Sequence, residues 1–511
     1  MRKLLFTLFM VVPVMFLQAQ RIHYSEVEPE DGRQLNYEII GRVGGTINVY
    51  KNYRNKNDIS IYDNEMKIKS RINLQFMPEK VGAVDFIAYP DFYYIIYQYQ
   101  KKGVAYCSAV KMDGNGKMLG DPLDLDTTHI PSFSDNQVYS VINSDDKQQI
   151  MVLKINRRDE KKFLITTILF NKELQVQGRN RMAYPSSDRD GGVFSDFIMD
   201  NDGDVAFARC AHSAGREYIS RVDFIQKLRG EDSLRVVNIP LDNLMLDEVR
   251  IKADNANKHF VLSSFYYKQR KGNIDGLYNW IWDKKSKAPA ASSSFVLGDT
   301  MRLDARSDNA PLKSAFNDYF IKNIVPAKDG GFAVLAEMYY TTSRSNNWNR
   351  WDYLYGYNAY SPMDYWYYSP YNSMNYMRGW DPYGRYNNNY SGTRHYAENV
   401  MIFFFDPNGK LTWSNVLRKT QFDDYSDIFL SYQLFIGNGA AHLLYNQMER
   451  RELMLNSSSI NPQGELKKDP TLRNLDKGYT FMPKFGKQVG PNMVVIPCMY
   501  KNYISFALLE F

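Results

Sequence analysis

Apolar residues in this chain come in short unbroken runs, not in helical or strictly alternating order. Tyr93–Tyr97 (YYIIY) and Val400–Phe405 (VMIFFF) are examples. Continuous apolar runs of about four to eight residues bounded by turn signals predict strands buried on both faces. A Gly, Asn, Asp or Pro cluster precedes each strand: Val43-Gly44-Gly45, Pro90-Asp91, Asp145-Asp146, Asn201-Asp202-Gly203, Asp254-Asn255, Asp329-Gly330-Gly331, Gly437-Asn438-Gly439 and Gly490-Pro491. Gly, Asn and Asp tolerate the positive φ that tight hairpins require, so these clusters predict first turns.

Second turns follow at Asp63-Asn64, Asp113-Gly114-Asn115-Gly116, Asn171-Lys172, Asp283-Lys284, Asp406-Pro407-Asn408-Gly409 and Asn461-Pro462-Gln463-Gly464. In the fourth unit the second turn is expected near Asp223 or Gly230. First turns recur 47 to 56 residues apart, stretched to 75 and 108 where insertions are expected near Ala288–Pro311 and Tyr339–Asn399. Two turns joining three strands, plus a connector strand, make a four-stranded antiparallel unit. Repetition at this period is the pattern of propeller blades.

The chain thus resembles β-propeller proteins over residues 20–511. The resemblance is to an architecture, because the chain carries no Gly-His…Trp-Asp pairing, kelch double glycine or Ser-x-Asp-x-Gly-x-x-Trp box. It implies an all-β fold, a single propeller of eight blades with seven as the alternative. The last unit has no room for a fourth strand after Phe511, so Arg21–Val27 is expected to supply it and close the ring. Closure removes exposed strand edges. An outer-membrane barrel is the competing β fold, but its strands need about ten residues of alternating polarity.

Residues 1–19 read as a signal peptide: Arg2 and Lys3, then the apolar Leu4–Phe16, then Leu17-Gln18-Ala19. The apolar run falls short of the roughly 20 residues needed to span a bilayer. Export to the periplasm or cell surface is expected, with no transmembrane helix and with peripheral association at the outer membrane as one mode of attachment. Net charge is +6, too small and too evenly spread to suggest nucleic acid. Cys107, Cys210 and Cys498 fall in apolar strands of different units and are expected to be buried free thiols.

The fold resemblance implies that ligands sit on the rim carrying the second-to-third strand connections and the unit-to-unit crossovers. Basic residues recur in those connections: Arg54, Lys101, Lys102, Arg157, Arg158, Lys268, Arg270, Arg450 and Arg451. They would attract an acidic partner, or simply solvate the turns. The same rim should carry the insertion at about 339–399, which holds more than a third of the 39 tyrosines and four of the seven tryptophans. Tyr and Trp interleaved with Asn, Ser and Gly suit a contact surface. Trp348, Trp351, Trp366, Tyr367, Trp380 and Tyr383 are the expected contact residues.

Asp200, Asp202 and Asp204 have the spacing of the first ligands in a calcium loop, but no glutamate stands at the twelfth position. An ordinary hairpin turn uses the same residues. His129, His212 and His395 belong to different units of the same rim. No Gly-x-Ser-x-Gly, His-Glu-x-x-His or P-loop pattern occurs. The expected function is a non-catalytic binding or scaffold protein of the cell envelope, contacting a protein or glycan through the aromatic loop. A polysaccharide-processing propeller enzyme is the alternative.

Overall fold

The computed structural model describes residues 21–32, 34–130, 138–159, 162–185, 192–212, 218–306, 311–343, 348–355, 367–368, 393–424, 426–449, 452–469 and 478–511. Among the described residues, hydrogen bonding groups the strands into seven antiparallel sheets. Six of them each hold one four-stranded unit. The ten-stranded seventh holds two, joined by Met245–Leu246, which pairs with Ile219 on one side and Tyr266 and Tyr267 on the other.

Asn36–Val43, Ala83–Ala88, Ser140–Asn143, Ile198–Met199, Arg250–Asp254, Tyr319–Pro326, Tyr432–Gly437 and Lys487–Gly490 begin the successive units. The first strands of units eight and one, one and two, three and four, four and five, and five and six adjoin one another, as strands lining a common axis do. The continuous apolar runs then have a simple cause. Successive side chains of a strand point to opposite faces, and each face meets a neighbouring unit. Val494 packs with Leu444 and Leu455 of unit seven, while Val495 packs with Ile39 and Val49 of unit one.

Such apolar layers separate every pair of neighbouring units. One of them joins unit six to unit seven through Leu335, Ile402, Leu443 and Tyr445. Another joins unit four to unit five through Phe224, Phe260, Trp280 and Trp282. The series returns on itself where unit eight meets unit one. The fold is a β-propeller. Arg21–Tyr24 pairs antiparallel with Tyr503–Glu510, supplying the fourth strand of unit eight from the other end of the chain.

The turns have a shared chemistry. In the second turns of units one, two, three, six and seven, a side-chain oxygen of Asp63, Asp113, Asn171, Asp406 or Asn461 accepts the amides two and four residues on. The fourth unit turns at Gly230 (φ +81), not at Asp223, which lies inside a strand. Ala288–Val296 is not inserted sequence but the fourth strand of unit five. The additional material there is the helix Asp299–Ala305 and the 3-10 turn Leu312–Ser314. Among the described residues no helix is long and apolar enough to cross a membrane. Cys107, Cys210 and Cys498 are buried free thiols.

Candidate functional site

In units one, two and eight the second-to-third connections are tight hairpins, and in unit five the connection is a longer loop. Arg54, Lys102, Lys271 and Lys501 sit at their tips with positive φ. Arg54, Lys101, Lys102, Lys268 and Arg270 are exposed, each group on its own unit, so the structure spaces these charges around the rim instead of gathering them. The side chains of Arg157, Arg158, Arg450 and Arg451 lie outside the described residues.

The insertion leaves unit six at Ser343 and re-enters at Thr393, where the two long strands still pair. Its described beginning folds back onto the crossover rim. Trp348 donates from Nε1 to Asp318 at 2.8 Å. With Tyr353 and Leu354 it covers Phe320, Tyr339, Ala397 and Leu430. The short helix Arg350–Tyr355 follows, and Trp351 meets the Tyr218 ring of unit four edge-on at 5.1 Å. Farther along, the backbone of Tyr367–Tyr368 pairs with Asn156 and Ile155 of unit three. The described parts of the insertion therefore form a strap that touches units three to six. Trp366, Trp380, Tyr383 and the Tyr367 side chain lie outside the described residues.

Arg350 anchors this strap. Its guanidinium is buried, donating from Nε to Asp247 at 2.7 Å and from Nη1 to the carbonyls of Asn317 and Tyr319. Burial pushes the Asp247 carboxyl up to about 6, against the pull of Arg350. Burial also raises Asp318, partly offset by its bond from Trp348. Glu248, the neighbour of Asp247, accepts from Arg250 at 3.2 Å and from the Ile321 amide at 2.7 Å.

Nearer the axis, Lys322 lies 3.3 Å from the Tyr353 hydroxyl and 4.0 Å from Glu337. Lys419 pairs with Glu337 at 2.8 Å, both fully buried, and burial lowers the Lys419 pKa. Lys484 holds Asp427 at 2.8 Å. Each of these carboxylates is thus neutralised within the chain.

On the opposite, first-turn rim, Asp200 makes the same two turn bonds as Asp63 and its counterparts, accepting the amides of Asp202 and Asp204. The Lys284 ammonium stands among all three carboxylates, bonded to Asp200, 2.8 Å from Asp202 and 3.1 Å from Asp204. Neighbouring first turns are laced together: Asn201 accepts the Asp146 amide, and Asn255 accepts the Asn201 amide and donates to Asp145. Beside them Asp145, Lys252, Asn255, Pro326 and Lys328 border a shallow cavity of about 220 Å³.

Sequence reasoning placed the aromatic insertion but missed Asp247, Glu248 and Asp318, its anchors on the ring. A signal existed: two adjacent acids inside the otherwise apolar Leu244–Val249 call for a buried cation. His129, His212 and His395 remain on separate units; His395 Nδ1 lies 2.9 Å from the Tyr339 hydroxyl, and burial lowers its pKa.

No family model and no curated protein matches this chain. Several solved structures are similar to it. Prolyl oligopeptidase B from Galerina marginata aligns at 7% identity and TM-score 0.42, over 92% of this chain and 56% of that one. The β-propeller domain of Vanderwaltozyma polyspora Nup133 aligns at 11% identity and TM-score 0.35, over 84% of this chain and 100% of that one. The α-L-arabinofuranosidase Arb93A from Fusarium graminearum aligns at 10% identity and TM-score 0.31, over 74% and 94%. This chain spans little more than half the length of the oligopeptidase.

Proposed function

We propose that this propeller is a non-catalytic binding or scaffold protein, exported by a signal peptide at residues 1–19 to the cell envelope, where its crossover rim and aromatic strap contact a protein or glycan. The observation that carries the reading is the strap itself. An aromatic-rich insertion whose beginning is already fixed on the ring by Arg350 and Trp348 does not have to order that beginning on binding, which keeps the entropic cost low. Glu337 and Asp427 at this rim are paired with Lys419 and Lys484, whereas a glycosidase keeps two carboxyl groups available to the scissile bond.

Affinity purification from the native cell envelope, read by mass spectrometry, tests the proposal. A stable partner, lost when Trp348 and Trp351 are replaced by Ala, supports it. Glycan turnover by the purified chain, with no partner retained, reverses it in favour of a polysaccharide-processing enzyme.

A further inference from the structure

The surroundings of Arg350 amount to a receptacle, more than one ion pair. Besides Asp247 and the two carbonyls, Glu248 stands 3.8 Å from Nη2, and the guanidinium lies over the Phe320 ring, 4.0 Å from its centroid. Every acceptor belongs to the ring, in the crossover into unit five and at the start of unit six. Each is held in place independently of the strap: Tyr267 donates to Asp247 at 3.1 Å, and Glu248 is fixed by Arg250 and the Ile321 amide. Carboxylates, carbonyls and an aromatic face match a flat guanidinium with five donors, and match a compact ammonium poorly.

The occupant, by contrast, comes from the insertion, outside the four strands of unit six. Unit six completes its central hairpin at Ser343 and Thr393. The helix carrying Arg350 has six residues, far too few to be stable by itself. We propose that this receptacle is a binding site for an arginine side chain of a partner peptide, with Arg350 as the chain's own occupant, holding the site until the strap is displaced. The inference deepens the proposed function by naming the chemistry of the partner.

The test uses the full chain with Arg350→Ala, followed by thermal melting and calorimetry. The probes are methylguanidinium and short peptides carrying one arginine or one lysine. Millimolar methylguanidinium is expected to raise the melting midpoint of the variant but not that of the parent. The arginine peptide is expected to bind the variant at least about tenfold more tightly than the lysine peptide. Adding Asp247→Asn should abolish both effects.

A folded variant that ignores guanidinium, prefers neither peptide, or still responds without Asp247 overturns the proposal. If Arg350→Ala does not fold, methylguanidinium is supplied during refolding: recovery of the near-ultraviolet dichroism supports the site, and no recovery overturns it. Because these readouts need no envelope partner, their outcome is independent of the purification experiment.

Discussion

Ser25 and Ser505, 480 positions apart, face each other at the seam of the ring with their hydroxyls 3.2 Å apart. Ser505 also donates to the Ser25 carbonyl at 2.9 Å, and Ser25 Oγ accepts the Phe506 amide at 3.0 Å. Three residues on, Glu28 is buried against Lys51, Tyr62 and Ser60 of unit one, with Arg71 at 3.3 Å. The N-terminal strand is therefore fastened to the last unit through its backbone and to the first unit through one carboxylate.

Glu28→Ala should accordingly destabilise the whole ring. Removing one partner of a buried pair leaves the Lys51 ammonium uncompensated, a loss of about 3–5 kcal/mol. Urea unfolding followed by fluorescence measures it. A loss below about 1 kcal/mol would mean that the seam does not depend on this contact.

Lys284→Ala tests the three-carboxylate cluster. The expected loss is nearer about 2–3 kcal/mol, because Asp202 is half exposed and keeps Lys258 at 2.7 Å. Burial holds the Asp200 pKa above its ordinary value even with Lys284 present, and without that ammonium it should rise further. The loss should therefore shrink as the pH falls and Asp200 takes a proton. Millimolar calcium is expected to stabilise the variant and not the parent, since only the variant has the position among the carboxylates unfilled. Melting curves with and without calcium at two pH values decide both points.

How much of this could be read from the sequence follows from the range of each interaction. Turns are local, so Asn201-Asp202-Gly203 and Asp406-Pro407-Asn408-Gly409 announced themselves, and with them the repeat. Closure by Arg21–Tyr24 was legible because unit eight lacked a strand. Ala288–Val296 misled because small and polar residues, alternately half-buried and exposed, form an outermost strand that looks like a loop. The pairing of Arg350 with Asp247 spans 103 positions and leaves no periodic trace.

The pH dependence of the strap anchor has a definite sign. Asp247 has a folded pKa of about 6, above the roughly 3.9 of an unfolded Asp. The folded chain holds this proton more tightly, so its contribution to stability is fully present below about pH 4 and is lost as the pH rises through about 6. The difference in melting midpoint between the parent and Asp247→Asn should therefore favour the parent most at about pH 4 and below and level off above about pH 7. A difference that grows more favourable with rising pH would refute the assignment.

Deleting residues 344–392 and joining Ser343 to Thr393 through a short Gly/Ser turn separates the strap from the ring. Closing a shorter loop costs the chain little entropy, and the paired strands on either side are retained. The deletion still carries a penalty the loop itself does not explain. It removes Arg350 and leaves Asp247, fully buried, without its cation. The simple deletion is thus expected to melt well below the parent at pH 7.5 and to recover much of the difference near pH 5, where Asp247 can be neutral. Combining the deletion with Asp247→Asn should restore most of the stability at both pH values, because a neutral amide needs no counter-ion in that position. If the double variant remains as unstable as the deletion alone, the loss comes from the packing of Trp348, Tyr353 and Leu354 on Phe320 and Tyr339, and the strap is part of the core.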